Sequence, residues 1–113
     1  MPARKMLCIY VDKEDRWRGG SLAEAIVRAL HRHQVAGATV VEGFMGFGGR
    51  GRVHHRGLFG ISDSKPVIIS AVDEEHVLRE ALEYVKPMVA QGLITLQDIE
   101  VVPLMMPPET PNA

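Results

Sequence analysis

One cysteine, Cys8, stands in 113 residues, so no disulfide can form within the chain, and such sparse usage fits a reducing compartment. Long apolar runs are missing as well. The stretch 6–11 follows Arg4 and Lys5 but is ended by Asp12. It falls below the roughly 7–15 apolar residues of a signal-peptide core and far below the ~18 of a membrane span. The expectation is a soluble, cytoplasmic protein. Neither sign of charge prevails, with 13 basic and 14 acidic residues and a net charge of −1. Bulk attraction to nucleic acid or to a membrane is therefore excluded, and no direct binding to either is expected. No Cys-x-x-Cys or His-Glu-x-x-His spacing occurs, and His31/His33 and His54/His55 are spaced so that each pair diverges. No nucleophile–base pair stands out either. Neither a metal ligand, a catalytic residue, an enzymatic activity nor a bound cofactor is expected.

What is present is enough for a core: 46% of the residues are hydrophobic. The length predicts one domain, 1–113, with an ordered part at about 5–102 and a Pro-rich tail, 103–113. Residues 6–11 are continuously apolar and read as a strand, with Cys8 in the core. Ser21 and Glu24 have capping-box spacing. Leu22, Ile26 and Leu30 then recur every four residues, which predicts a helix over about 21–35 stopped by Gly37. A Val-rich second strand is read at 38–45, and Pro66 opens a third at 67–72. Asp73 can cap a second helix with Glu74 and Glu75 in its first turn. Leu78, Leu82, Val85 and Val89 form its apolar stripe, Pro87 should kink its last turn, and Gly92 ends it. A short fourth strand is read at 99–102.

The order strand, helix, strand, strand, helix, strand predicts an α+β fold. Specifically it predicts the ferredoxin-like βαββαβ sandwich, a four-stranded antiparallel sheet with both helices on one face. A bare second face should show polar residues at alternate positions. Instead Met6, Cys8 and Tyr10 oppose Leu7, Ile9 and Val11, and both sets are apolar. The second face should therefore be buried against other subunits.

Between the second and third strands, residues 46–60 hold six of the eleven glycines, three arginines, two histidines and no acid. Unstructured loops of this length are uncommon in compact domains and are usually functional or mobile. Glycines let backbone N–H groups converge on an anion, and arginines add forks that fit phosphate or carboxylate oxygens. The candidate ligand-binding residues are Gly46, Phe47, Gly48, Gly49, Arg50, Arg52 and His54. A solvated hairpin whose arginines only maintain solubility is the plainer alternative. Gly46, Gly48 and Gly51 match G-x-G-x-x-G, but no helix follows, so a dinucleotide fingerprint is rejected; no Lys-Ser or Lys-Thr follows for a phosphate-binding P-loop. Trp17, in the loop 15–20, either stacks on a ligand or covers the end of the sheet, and Phe47 carries the same pair of readings.

Gly37-Ala-Thr-Val-Val-Glu-Gly43, Gly46-Phe-Gly48, Val53-His54, Leu58 to Ser62-Asp63 and Pro66-Val67 resemble the bacterial family called domain of unknown function 190. Arg18-Gly-Gly20, Ser21-Leu22 and Gly92-Leu-Ile-Thr95 fit too, so the resemblance covers about residues 5–102. Such proteins are similar to PII signalling proteins. The resemblance implies a homotrimer that binds a small anionic ligand, an adenine nucleotide above all, in clefts between subunits. It also implies a protein partner, a membrane transporter among the candidates, contacted through the 44–60 loop. His54 matches the family's histidine and is expected to hydrogen-bond ligand or loop backbone. Glu42 stands where a basic residue is common, and His55 where a Thr is. The connection 91–96 carries no arginine or lysine, unlike the basic loop of PII proteins, so an anion must rely on the 46–56 loop. The competing readings are a divalent-metal-responsive trimer resembling the CutA group and a nucleic-acid binder using Arg50, Arg52 and Arg56.

Overall fold

The structure is a computed structural model that describes residues 3–48 and 65–105. Its first strand, β1 (Arg4–Asp12), leads into a two-residue hairpin, β2 (Arg16–Trp17) and β3 (Gly20–Ser21). The two turn residues, Arg18 (φ 49°) and Gly19 (φ 84°), both have positive φ, as tight hairpin turns matched to strand twist require. Helix α1 (Leu22–Arg32) follows. The Ser21 hydroxyl accepts from the Glu24 N–H at 3.2 Å, which supplies one half of the capping box. The other half is not made: the Glu24 carboxylate is turned along the helix to Arg28 at 3.1 Å.

The first helix ends three residues earlier than the periodicity predicts, and not at Gly37. Gln34 takes the left-handed conformation, φ 66°. Its N–H donates to the His31 carbonyl at 3.1 Å and the Val35 N–H to that of Leu30 at 3.1 Å. These are the two bonds of a Schellman stop, and buried Val35 and Leu30 supply the apolar contact that accompanies it.

Strand β4 (Thr39–Glu42) is shorter than the predicted 38–45, and β5 (Pro66–Glu74) starts at the proline as expected. Helix α2 (Glu75–Val85) is not capped by Asp73. Glu74 occupies the cap position without a side-chain bond. The Asp73 carboxylate instead accepts from the Ala36 N–H at 2.9 Å and the Glu74 N–H at 2.7 Å. It thereby ties the chain leaving α1 to the end of β5. Pro87 lies in a 3₁₀ turn, Lys86–Met88, so the last turn changes pitch where the proline predicts a kink.

The fourth long strand is β6 (Leu93–Asp98), and the expectation of a strand at 99–102 is wrong. Gly92 explains the early entry. A Cβ there would lie 2.6 Å from the Tyr10 carbonyl oxygen, so only glycine brings the chain onto β1 at once. Residues 99–105 have no regular structure, and Val102, Leu104 and Met105 are exposed.

The sheet order is β4–β5–β1–β6, and every neighbouring pair is antiparallel. This is the ferredoxin-like arrangement. Register places Val40, Ile69, Ile9 and Ile94 in one row across four strands, with Leu7, Val11, Val67 and Ala71 on the same face. That face packs on Leu22, Ile26, Ala29 and Leu30 of α1 and Leu78, Ala81, Leu82 and Val85 of α2, all buried. The opposite face has its own row, Val41, Ile68, Tyr10 and Leu93. Of these, Tyr10 is 38% and Leu93 56% exposed. The apolar second face read from the alternation is present, and no element of the chain among the described residues covers it.

Candidate functional site

One end of the sheet gathers what the sequence singles out. There β1 ends at Asp12, β4 ends at Glu42, β5 begins at Pro66, and β6 begins at Leu93. The long loop leaves and returns at this end, and its base is clamped. The Gly43 N–H donates to the Pro66 carbonyl at 2.7 Å. A Cβ on Gly43 would meet the Pro66 ring at 2.7 Å, and one on Gly46 would meet it at 3.2 Å. Glycine at these two positions lets the outgoing strand press against the returning proline. The Lys13 N–H donates to the Lys65 carbonyl at 2.9 Å, which ties the loop's return to the chain leaving β1.

Charges at the base are arranged in pairs. Lys13 lies 3.2 Å from Glu42, so the acid that departs from the resembling family's pattern is neutralised from the neighbouring turn. Asp12 and Asp15 organise that turn. The Asp15 carboxylate accepts from the Asp12 N–H at 3.0 Å, and the Asp12 carboxylate accepts from the Glu14 N–H at 2.9 Å. The Lys65 ammonium lies over the Phe44 ring at 5.7 Å, a cation–π contact that steadies the start of the loop.

Beyond the clamp the described chain turns apolar and open. Phe44, Met45 and Phe47 are all exposed, Phe47 at 93%. Of the candidate ligand-binding residues, Gly46, Phe47 and Gly48 belong to this segment. Gly49, Arg50, Arg52 and His54 lie outside the described residues, as do Arg56 and His55. Trp17 is elsewhere, half-buried against the helix-side core. His33 stacks on Tyr84, with ring centroids 3.9 Å apart and planes at 13°. Among the described residues no group of three or more His, Cys, Asp or Glu side chains is placed to hold a metal. No described helix is long and apolar enough to cross a membrane.

Sequence reasoning missed the Lys13–Glu42 pair and the Gly92 contact. The first joins residues far apart in sequence, and only the strand order makes them neighbours. The second had a signal: Leu93-Ile-Thr-Leu-Gln97 alternates from the residue after the glycine. Its recognition shortens the connection between α2 and β6, leaving Val89, Ala90, Gln91 and Gly92 between the 3₁₀ turn and the strand. No cation is among them.

Comparison with known proteins places this geometry in a family. The family described as DUF190, "Uncharacterized ACR", matches residues 4–101. A UPF0166 protein of Aquifex aeolicus is 30% identical over 99 residues, covering 88% of this chain and 93% of its own. One from Methanocaldococcus jannaschii is 36% identical over 98 residues, with 86% and 90% covered. Among solved structures, CPII from Thiomonas intermedia K12 bound to ADP, AMP and acetate has a TM-score of 0.64 at 24% identity, covering 90% of this chain and 91% of that one. CPII bound to ADP and bicarbonate has a TM-score of 0.62 at 25% identity, with 89% of each chain covered. CPII is a nitrogen regulatory PII-like protein, and the fold described above is the PII-like form of the ferredoxin-like sandwich.

Proposed function

The chain belongs to the DUF190, or UPF0166, family, and on that footing we infer that it is a PII-like regulator. It binds an adenine nucleotide in clefts between the subunits of a homotrimer and signals to a protein partner through the 44–60 loop. The observation that carries this reading is the position of the open apolar row. Val41, Ile68, Tyr10 and Leu93 cross the sheet immediately beside Glu42, Gly43 and Asp12. A neighbouring subunit laid on that row brings its own edge against the base of the loop, and this encloses a cleft there. CPII, with the same fold, is known bound to ADP and AMP, which favours the same ligand class here.

In that cleft the chain's residues divide the work. The backbone N–H groups of Gly46, Gly48 and Gly49 and the guanidiniums of Arg50 and Arg52 take the phosphate oxygens. Phe47 offers an exposed ring to the base, and His54 hydrogen-bonds ligand or loop backbone. With no cation between α2 and β6, the phosphate charge falls wholly to the loop. No covalent step is assigned, and the protein acts by binding alone.

Titration calorimetry with ADP, AMP and ATP tests this. Saturable binding of at least one of them is expected, lost in the Arg50→Ala/Arg52→Ala variant without loss of fold. A ligand at 100 times its dissociation constant should also stabilise the protein by about 2.7 kcal/mol. Absence of binding by all three at millimolar concentration, or undiminished binding in the variant, overturns the assignment.

A further inference from the structure

A second basic region lies on the other side of the molecule, in the helix layer and away from the open sheet face. There the β2–β3 turn, the C-terminal half of α1 and the end of α2 enclose a groove of about 360 Å³. Trp17, Arg18, Arg28, Arg32, His33 and Tyr84 line it together with Met88, and no carboxylate is part of the lining. Its volume is at the lower end of the roughly 300–1,000 Å³ of small-molecule sites.

We propose that this groove is a second anion site, independent of the loop, that takes an oligophosphate group. Three arginines from two separate elements line it, and their charges are unequally paired. Arg28 is paired with Glu24 at 3.1 Å. Among the described residues, neither Arg18 nor Arg32 takes part in an ion pair. In a chain with a net charge of −1, such a cluster is not the product of general basicity.

The ordinary account of Arg32 is the helix dipole, which favours cations in the last turn. It does not extend to Arg18. That residue comes from a different element and sits at a turn position with φ 49°, where glycine or asparagine is the usual choice. Its guanidinium lies over the Trp17 ring at 5.0 Å, which orients the plane while leaving the N–H edges free to donate. The carbonyls at the end of α1 would repel an anion, but those of Ala29, Leu30 and His31 already accept from His33, Val35 and Gln34. The charged side chains that line the groove are all arginines. Separated guanidiniums fit an ion with several charged centres better than a single carboxylate, which one fork would satisfy.

Trp17 is the only tryptophan, so its fluorescence reads the groove directly. Titration of the full-length protein with inorganic triphosphate is expected to give a saturable change in Trp17 emission. Arg18→Ala/Arg32→Ala, both at exposed or rim positions, should weaken the interaction by roughly tenfold or more with an unchanged circular dichroism spectrum. Arg50→Ala/Arg52→Ala should leave it unaltered, which separates this site from the loop. In that loop variant, tighter binding of ATP than of triphosphate identifies a nucleotide as the source of the phosphates. Equal or weaker ATP binding identifies a free oligophosphate. Absence of a saturable change, or a response in Arg18→Ala/Arg32→Ala equal to wild type, overturns the proposal.

Discussion

The two faces of the sheet are made from the same strands, and along β1 they are nearly equal in apolar character, whereas Thr39, Ser70, Thr95 and Gln97 of the other strands all fall on one of them. Leu7, Ile9 and Val11 point one way along β1; Met6, Cys8 and Tyr10 point the other. Their fates differ. The first set is buried under α1 and α2, and so is Ile69, with no exposed surface. The row containing Tyr10 and Leu93 keeps much of its surface in solvent. The composition of β1 alone thus does not tell which face the chain itself will cover; connectivity decides that, because both crossovers turn the same way. What composition does tell is that the second face is built for burial too, and by something other than this chain's own helices.

The largest effect is expected from charging the open face. Val41, Ile68, Val72 and Leu93, with Met6 and Tyr10, share this face and forgo up to roughly 1.5–3 kcal/mol apiece when left in water, on the order of the whole stability of a domain. Association should therefore be strong, and the proposed trimer has a mass of about 37 kDa, three times the 12.5 kDa chain. Leu93→Asp places a carboxylate at the end of the open row, directly opposite Tyr10 across the strand pair. Light scattering should show the 12.5 kDa species, and thermal stability should lose its dependence on protein concentration. A wild-type protein that is already monomeric at micromolar concentration would refute the argument that this face is covered.

Much of this comparison was legible in the sequence. The unbroken apolar run of β1 located both faces, and the four-residue recurrence in α1 identified the helix that seals one of them. The misreadings share a physical origin. Gln34 stops α1 because a local backbone motif outweighed the preference for glycine. Asp73 serves the Ala36 N–H rather than a cap because tertiary contact brought a second donor within reach. Strand β6 was overlooked since its apolar residues alternate with Thr95 and Gln97 on a sheet edge, whereas Ile99, Val101 and Val102 form a denser apolar run outside any strand. The charged loop was legible as composition, but four of the seven candidate residues, from Gly49 onward, lie outside the described residues. Its clamp, Gly43 and Gly46 against Pro66, depended on pairing between β4 and β5 that no local pattern encodes.

On the sealed face the expected effect is smaller and of a different kind. Ile69→Ala removes a fully buried side chain from the row Val40, Ile69, Ile9, Ile94 and leaves a cavity that the neighbouring strands cannot close. Chemical denaturation should show a loss of about 2–5 kcal/mol, with the oligomeric state unchanged as long as the chain folds. A loss below 1 kcal/mol would mean that this face is looser than its burial implies. Together with Leu93→Asp, the variant separates folding from assembly on opposite sides of one sheet.

The smallest effect lies at the margin of the sealed face, where Lys5 pairs in register with Asp98 of β6. The Lys5 ammonium lies 2.5 Å from Asp98 and 3.8 Å from Glu75 of α2, so one cation joins two strands and a helix. The hydrogen bond from Lys5 holds the Asp98 carboxyl below its ordinary value of 3.8. The same bond, with the charges of Asp98 and Glu75, raises Lys5 above 10.5 against a smaller desolvation that lowers it. The signs fix the pH window. Because Asp98 is depressed in the folded state, its contribution is complete above about pH 3.8 and is lost as pH falls through the lower folded value. Because Lys5 is raised, its contribution is complete below about pH 10.5 and is lost as pH rises through the higher folded value. Asp98 is largely exposed, and such pairs contribute little in salt. Denaturation midpoints of wild type and Asp98→Asn should therefore differ by a small, constant amount between these limits, with the difference shrinking beyond either one. A gap as wide at pH 2 as at pH 7 would show that Asp98 acts through packing, and that the pair does not help close the edge of the sealed face.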